Sequence, residues 1–502
     1  TPKTHWLNIS GGDWDWWGYP TVRKLNVFIE KMETAPVDEA VRTARTAEAR
    51  FLRAFAYFNM VKRYGGVPLI LKAQQLSDSP EELYPKRATE EAVYQFILDE
   101  MNDIIDNRLL PDAYGAADLG RPTLYAAAAL KSRAAMYAGS IASWGTVQLD
   151  GLVGIPADKK EHFWQESLNA SNRLLYGSPF ALYEKYPDDR SKNYRNIFLD
   201  ENNCEVIFSE IYDGKSGKGH SWDMWQNPSG YNAWAGGQQN CVYLEFVESY
   251  ENIDGSDPTI DREKVAQYYT WTLDELWGKK DPRFKASIYT QGTPWTHEGA
   301  SVTLDYHVGI FVDGQWINDG FYEGVPALGV CANNWRPTPF GILKYLDESS
   351  AMIPERYYSK TDWIVFRLGE IYLNFAEAAF ELNKPDSALW AVNKIRARAG
   401  MPELQSITRE QIRHERKIEL AFEGNRYWDV RRWRTAVQDL SHAWHGMRYK
   451  LDWATQKYYV EIVDNICGTP EPYFNEMHYY WPIAQSRTQQ NPNLLPNNPG
   501  WR

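Results

Sequence analysis

The sequence predicts an all-α protein: an array of tetratricopeptide-like helical hairpins with a large, irregular, loop-rich insertion and minor short strands. Apolar residues recur at helical spacing near both ends of the 502-residue chain. Between these segments, glycine, proline and asparagine clusters replace the helical periodicity. We therefore divide the chain into an N-terminal helical part with a Trp-rich loop (1–180), an irregular insertion (181–350) and a C-terminal helical part with an extended tail (351–502), and expect one compact unit.

The N-terminal part begins as a loop and becomes amphipathic over 22–32. The clearest helix follows within 48–71, EARFLRAFAYFNMVKRYGGVPLIL, where apolar residues at spacings of three and four form one stripe. Gly65 and Gly66 end this helix, because glycine adopts the left-handed conformation that a helix stop requires. The pattern predicts three further helices: 89–110, 121–143 with Pro122 in the first helical position, and 163–176.

In the insertion, short apolar runs such as 205–211 indicate isolated strands. The stretch DGKSGKGH (213–220) is predicted to be a solvated loop, because its glycines and lysines lack the order of a phosphate-binding loop. Helical spacing returns in the C-terminal part. We expect helices at 363–382 with Asp362 as N-cap, at 385–399 ended by Gly400, at 408–422 with a capping box from Thr408 to Gln411, and at 426–435.

Composition argues against several classes of function. The net charge of −12 disfavours nucleic-acid binding, which depends on basic patches. The four cysteines are widely spaced and form no zinc or redox motif. No apolar run reaches the ~18 residues of a membrane span, and the N-terminus has no signal-peptide pattern. Nucleotide-binding and hydrolase motifs are also missing, so the sequence predicts neither an enzyme nor a cofactor and leaves open a calcium ion that orders the insertion.

Two groups of carboxylates could nevertheless support chemistry. Glu415, Glu419 and Glu423 lie four residues apart, so they share one helical face and could bind a metal or act as acid and base. The basic residues close by favour an ion-pair network instead. Asp13 and Asp15 could form the carboxylate pair of a glycosidase, although aspartate beside glycine is typical of turns.

Tryptophan is the strongest functional signal. The chain has 22 tryptophans, which concentrate near the N-terminus and in the insertion rather than in the predicted helices. An indole ring can stack on the apolar face of a sugar while nearby amides and carboxylates bind the hydroxyl groups. Each tryptophan could instead simply order an irregular segment. The predicted ligand-binding residues are Trp14, Trp16, Trp17, Trp222, Trp225, Trp234, Trp295 and Trp316.

Several blocks of sequence occur in a recognisable order. After 48–71 come VFRLGEIYLNFAEAAFELN (365–383), ALWAVNKIRARAG (388–400) and RHERKIELAFEGNRYWDVRRW (413–433), then the tail YYWPIAQSRTQQNPNLLPNNPGW. Together they resemble the SusD/RagB family of outer-membrane nutrient-binding lipoproteins, with Ala484 and Arg487 departing from the pattern of its tail. The residues that match the family's EGxRxxDxxRW pattern are Glu423, Gly424, Arg426, Asp429, Arg432 and Trp433.

The resemblance implies four tetratricopeptide-like helix pairs and a ligand-binding insertion. It also implies a non-catalytic protein that captures oligosaccharide or polysaccharide at the cell surface and delivers it to a SusC-like TonB-dependent outer-membrane transporter. A lipidated N-terminal cysteine would anchor it. Because no cysteine precedes Cys204, we expect that residue and the signal peptide to lie outside this sequence. The alternatives are a peptide-binding member of the same family or a helical glycoside hydrolase.

Overall fold

The computed structural model of the chain describes residues 15–214, 218–231, 237–332, 338–348, 357–466 and 473–501. It is mainly helical, with short strands in the insertion and near the C-terminus, which confirms the predicted fold class. Within this described part of the chain, no helix combines the length and the apolar character needed to cross a membrane. The division into three parts stays a prediction.

The N-terminal helices pack on one another in chain order through their apolar faces. Phe51, Ala54 and Val61 of the predicted stripe are completely buried. Buried alanines, including Ala128 and Ala135, let neighbouring helices approach closely. The helices of this part are α1 (Tyr19–Met32), α2 (Glu39–Tyr64), α3 (Pro80–Leu83), α4 (Glu90–Asp106), α5 (Leu124–Trp144) and α6 (Lys160–Gly177).

The insertion replaces long helices with short elements, as its turn-rich sequence predicts. In chain order they are α7 (Arg190–Asn196), β1 (Val206–Glu210), α8 (Trp222–Gln226), α9 (Leu244–Glu248), α10 (Arg262–Ala266), β2 (Thr270–Trp271), α11 (Leu273–Trp277), α12 (Pro282–Ser287), β3 (Ile288–Tyr289), β4 (Pro294–His297), β5 (Ala300–Thr303), β6 (His307–Val312), β7 (Gln315–Ile317), β8 (Phe321–Tyr322), β9 (Val325–Pro326) and β10 (Gly341–Ile342).

The C-terminal part returns to the helical array. Its elements are β11 (Trp363–Arg367), α13 (Leu368–Glu381), α14 (Pro385–Ala399), α15 (Arg409–Glu419), α16 (Arg426–Arg432), α17 (Ala436–Leu440), β12 (Gly446–Asp452), β13 (Lys457–Val463) and α18 (Gln485–Gln490). Helix α13 packs on α6 as well as on α14 and α15, so the array continues across the insertion.

Strands from the insertion and the C-terminal part combine into one five-stranded sheet. Its order is β2-β13-β12-β6-β7, with β12 and β6 parallel and the other neighbours antiparallel. A second hydrophobic core lies beside it and includes Trp271, Trp277 and Tyr449. The insertion is therefore fixed to the C-terminal part by backbone pairing and by apolar burial.

Several predicted helix ends are confirmed. Gly65 ends α2 with a φ of +68°, and Gly400 ends α14 in the left-handed conformation with a φ of +78°. The hydroxyl of Thr408 accepts the backbone N–H of Gln411, and the Gln411 side chain accepts the N–H of Thr408. This is the predicted capping box.

The cap at Thr408 provides a first test of the fold. Thr408→Ala leaves a backbone N–H of the first turn of α15 without its side-chain acceptor, so we expect the free energy of unfolding to fall by about 1 kcal/mol. Urea unfolding followed by circular dichroism measures the change. Thr408→Ser keeps the hydroxyl and should stay close to the wild type; a loss as large as that of the alanine variant would contradict the capping role.

Other local predictions are wrong. Helix α5 begins at Leu124, so Pro122 is not its first residue; Thr123 is the N-cap and accepts the N–H of Ala126. The segment 363–367 is strand β11, and α13 starts only at Leu368. Asp362 does not cap a helix, since its carboxylate accepts the N–H of Tyr212 at 2.9 Å.

Residues 363–367 form a strand rather than a helix because of a contact with a distant part of the chain. Strand β11 pairs antiparallel with β1, so the run predicted at 205–211 is not an isolated strand. Ile364 and Phe366 alternate into the core, whereas Trp363 and Val365 stay partly exposed. Helical and strand periodicities are both compatible with this short apolar run, and the partner strand decides between them.

The carboxylates of Glu415, Glu419 and Glu423 all lie in ion pairs, which confirms the network interpretation. Glu415 and Glu419 are buried, and the side chain of Glu423 is 5% exposed. Their partners are guanidinium or ammonium groups from the insertion, from β11 and from α14. The pairs join Glu415 to Arg283 and Arg396, Glu419 to Arg283, Arg367 and Arg398, and Glu423 to Lys344 and Arg367. We call these residues the buried ion network.

The residues of the EGxRxxDxxRW block extend this pattern. Asp429 accepts from Arg416 at 2.8 Å and from Arg432 at 2.9 Å. Both Arg432 and the indole of Trp433 donate to Glu377 of α13. The block therefore ties α15 and α16 to the helical array, and it is structural rather than ligand-binding.

Candidate functional site

An aromatic cavity of about 490 Å³ lies between α8, the segment around Tyr345 and the start of β11. This volume lies within the range typical of small-molecule sites. Six aromatic rings and five uncharged polar side chains line it: Tyr212, His220, Trp222, Trp225, Tyr345 and Trp363, with Ser221, Gln226, Gln239, Asn240 and Thr361.

One wall is the short helix α8. Trp222 and Trp225 are three residues apart, so both lie on the same side of the helix and face the cavity. The indole N–H of Trp222 donates to the carbonyl of Lys344 at 3.1 Å, which fixes its ring. Trp225 is partly exposed, as a ring that contacts a ligand must be.

The second wall of the cavity is an aromatic stack, in which Tyr345, only 3% exposed, supports the ring of Trp363. The rings of Tyr345 and Trp363 lie 5.0 Å apart, with 27° between their planes. Tyr345 has a φ of +65°, a backbone conformation that is rare for a bulky residue. Such conformations persist where surrounding contacts hold them, and they concentrate at functional sites.

The buried ion network supports this second wall. Lys344 precedes Tyr345, and its ammonium group donates to Glu423 at 2.7 Å. Arg367 ends the strand that Trp363 begins, and it donates to the same carboxylate at 2.7 Å. Glu423 therefore holds both backbone segments that carry the stacked rings.

His220 connects α8 to the segment before β11. Its Nδ1 accepts the backbone N–H of Trp222 at 3.1 Å, and its Nε2 donates to the carbonyl of Thr361 at 2.8 Å. The ring also packs edge-on against Tyr212, with the ring centres 4.8 Å apart. A proton on Nδ1 would point at the backbone N–H of Trp222, which is also a donor, so Nδ1 carries no proton. Burial lowers the pKa of His220 as well, which favours the neutral form. The imidazole is therefore neutral.

The neutral imidazole predicts a pH effect. Because the pKa of His220 is lower in the folded chain, the stability that it contributes declines as the pH falls below about 6.5. Asp362 acts in the opposite direction, since burial raises its pKa to about 6. We therefore compare the wild type with His220→Gln, and expect the difference in urea midpoint to shrink between about pH 8 and about pH 5. A difference that stays constant with pH would contradict the neutral tautomer.

The amides of the lining differ in exposure. Gln226 is only 1% exposed, and its Oε1 is buried without a hydrogen-bond partner among the described residues, so this atom does not face the cavity. Asn240 is exposed, so its amide can reach a hydroxyl group of a ligand.

Of the predicted tryptophans, the cavity brings together Trp222 and Trp225. Trp14 and Trp234 lie outside the described residues. Trp295 is 2% exposed and packs edge-on against Tyr289 in the second hydrophobic core, so its ring has no face open to a ligand in this structure.

The remaining three predicted residues lie elsewhere. Trp316 lies on β7, and its ring packs edge-on against Tyr459 of β13 in the same sheet. Trp16 is 37% exposed, and Trp17 lines a separate groove of about 380 Å³ in which the guanidinium of Arg487 covers its ring at 4.8 Å. Ligand binding by these three tryptophans stays a prediction.

Four residues of the lining are not among those that the sequence predicts to bind ligand: Trp363, Tyr345, Tyr212 and His220. Trp363 was assigned to a helix core, and His220 to a solvated loop; the structure places both in the cavity lining. Alternation within 363–367 could have indicated a strand at Trp363. Tyr345 and Tyr212 carry no local signal, because tertiary contacts alone bring them to the site.

Comparison with known proteins identifies the family. Residues 204–501 match the model of the SusD family, and residues 12–136 match a second model described as starch-binding associating with outer membrane. The chain belongs to the SusD family. The resemblance carried by the EGxRxxDxxRW block and the tail is thereby confirmed.

Other SusD-like proteins are similar along most of the chain. One from Bacteroides ovatus is 24% identical over 455 residues, which cover 88% of this chain and 69% of that protein. A crystal structure of a SusD-like protein from Bacteroides fragilis matches with a TM-score of 0.75 and 26% identity, covering 96% of this chain and 84% of its own. A SusD-like carbohydrate binding protein from the same species matches with a TM-score of 0.69 and 24% identity, covering 95% and 84%. The SusD fold thus extends over nearly the whole chain.

Proposed function

We propose that this SusD-family chain is a non-catalytic, cell-surface protein that binds an oligosaccharide or polysaccharide in the aromatic cavity. The observation that carries the proposal is that three partly exposed tryptophans, Trp222, Trp225 and Trp363, line the same cavity. Flat aromatic faces bind the apolar faces of sugar rings, and amides such as that of the exposed Asn240 bind their hydroxyl groups. The carbohydrate binding protein among the similar structures supports the same ligand class.

The proposal includes delivery of the glycan to a SusC-like TonB-dependent transporter. The second matching family model is described as associating with outer membrane, which supports a position at the outer face of that membrane. An N-terminal lipid anchor would hold the protein there. Membership of the SusD family is the basis for both inferences.

The cavity does not support hydrolysis of the glycan. Glycoside hydrolysis requires a pair of carboxylates, and no residue described as lining the cavity carries one. Of the aspartates considered in the sequence, Asp13 lies outside the described residues. Asp15 is occupied by an ion pair with Arg487 and by the hydroxyl of Tyr64.

A binding panel tests the proposed function. Affinity electrophoresis against starch, β-glucan, xylan and mannan, followed by calorimetry with the matching oligosaccharides, should reveal retardation and saturable binding to at least one glycan. The purified chain should release no reducing sugar from that glycan. Calorimetry with oligopeptides tests the peptide-binding alternative. Saturable peptide binding without any glycan binding would overturn the proposal.

A further inference from the structure

The charge of the cavity suggests a narrower ligand class than glycans in general. All described side chains that line it are uncharged at neutral pH: aromatic rings, amides and hydroxyls. Burial lowers the pKa of His220 and raises the pKa of Tyr212 to about 12. Neither residue therefore supplies a charge to the cavity at neutral pH.

The nearest lysine in sequence to the aromatic stack does not serve the cavity. Lys344 is completely buried, and its ammonium group donates to Glu423, to the carbonyl of Ala421 and to the hydroxyl of Tyr194 at 2.7–2.8 Å. Only its backbone carbonyl reaches the cavity wall, through Trp222. Its positive charge is thus compensated within the buried ion network.

A buried acidic group lies between two residues of the lining. Asp362 lies between Thr361 and Trp363 and is 8% exposed. Burial, followed by the charge of Glu201, raises its pKa to about 6, so the carboxyl group is largely ionised at neutral pH. A second anion in the cavity would meet this carboxylate in a medium of low polarity.

Resting on the proposed function, we propose that the aromatic cavity selects uncharged glycans and rejects glycans that carry uronate or sulfate groups. An anion that enters the cavity loses its hydration, and no cationic side chain of the described lining compensates for that loss. We expect anionic forms of a bound glycan to bind at least ~30-fold more weakly than the neutral form, since an unpaired desolvated charge costs at least that factor in affinity.

Matched ligands test the selectivity on the intact chain. Calorimetry compares amylose, β-glucan, xylan and mannan oligosaccharides with carboxymethylated or sulfated forms of the same chains, in a buffer of moderate salt. A neutral form that binds at least ~30-fold more tightly than its anionic form supports the inference. Equal or tighter binding of an anionic form overturns it while leaving glycan binding intact. Binding of none of these glycans would contradict the proposed function itself, and the inference with it.

A charge-insertion variant provides the second measurement. Asn240 is an exposed residue of the lining, so a lysine at this position can fold without burying its charge. Asn240→Lys should raise the ratio of anionic to neutral affinity by ~10-fold or more, since it supplies the missing cation. Asn240→Gln is the matched uncharged control and should leave the ratio near that of the wild type. An unchanged ratio in Asn240→Lys would show that charge at the cavity does not set selectivity.

Discussion

Replacing Glu419 with glutamine is expected to lower the free energy of unfolding by about 3–5 kcal/mol. Glu419 is fully buried and pairs with Arg283, Arg367 and Arg398, so its carboxylate faces three guanidinium groups from three separate segments. Glutamine keeps nearly the same shape but removes the negative charge. The loss is large because three buried guanidinium groups each lose one of their carboxylate partners in a medium of low polarity, not because one hydrogen bond is missing.

Urea unfolding, followed by circular dichroism and by tryptophan fluorescence, measures this loss as a shift of the midpoint. The matched control is Asp112→Asn, which removes the carboxylate of an exposed ion pair with Arg108; the two side chains are 47% and 61% exposed. We expect a change below about 1 kcal/mol there. Similar shifts for the two variants would show that burial does not set the strength of the network.

The pH dependence of the Glu419 effect follows from the same charges. Burial alone would raise the pKa of Glu419, but Arg398, Arg367 and Arg283 hold it below its usual value. Its contribution to stability is therefore present above about pH 4.5, the value for an unfolded glutamate, and is lost as the pH falls through the lowered pKa. The difference between the wild type and Glu419→Gln should accordingly stay constant at neutral pH and shrink in acid.

The second large effect concerns ligand binding. Trp225→Ala should weaken binding of the glycan identified by the panel by about 30-fold, or about 2 kcal/mol, as expected when an aromatic anchor is removed from the centre of a site. We do not choose Trp222 for this substitution, because its indole donates to the carbonyl of Lys344. Loss of Trp222 would therefore disturb the cavity wall in addition to any ligand contact.

Trp316→Ala provides the control for this prediction. The residue is also a partly exposed tryptophan of the insertion, but it packs against Tyr459 on the sheet and is not part of the cavity lining. If the aromatic cavity alone binds the glycan, the affinity of Trp316→Ala stays within about 2-fold of the wild type. A larger loss would support the sequence-based prediction that Trp316 binds ligand. A loss at Trp316 equal to that at Trp225, with both variants folded, would contradict the cavity as the binding site.

Local patterns in the sequence were sufficient to predict most helices of the array. The stripe of α2, the glycine stop at Gly400 and the capping box at Thr408 depend on residues only a few positions apart, so they can be read without a structure. The same holds for the ion pairs of α15, where helical spacing and many nearby arginines already favoured a network over a metal site.

The tryptophan distribution located the site only in part. It selected Trp222 and Trp225, which share one short helix and line the cavity. It also selected Trp295, which is core, because composition does not distinguish a ring that faces a ligand from one that fills a hydrophobic cluster.

The second wall depended entirely on tertiary structure. Trp363 belongs to a strand only because β1 pairs with β11, and Tyr345 reaches it through a turn that Lys344 anchors to Glu423. Helical periodicity depends on residues that are close together in the sequence, whereas strand pairing and buried ion pairs join positions that are far apart in the chain. The local sequence therefore determined the helical scaffold and two tryptophans of the cavity, and long-range pairing decided which other residues line the cavity with them.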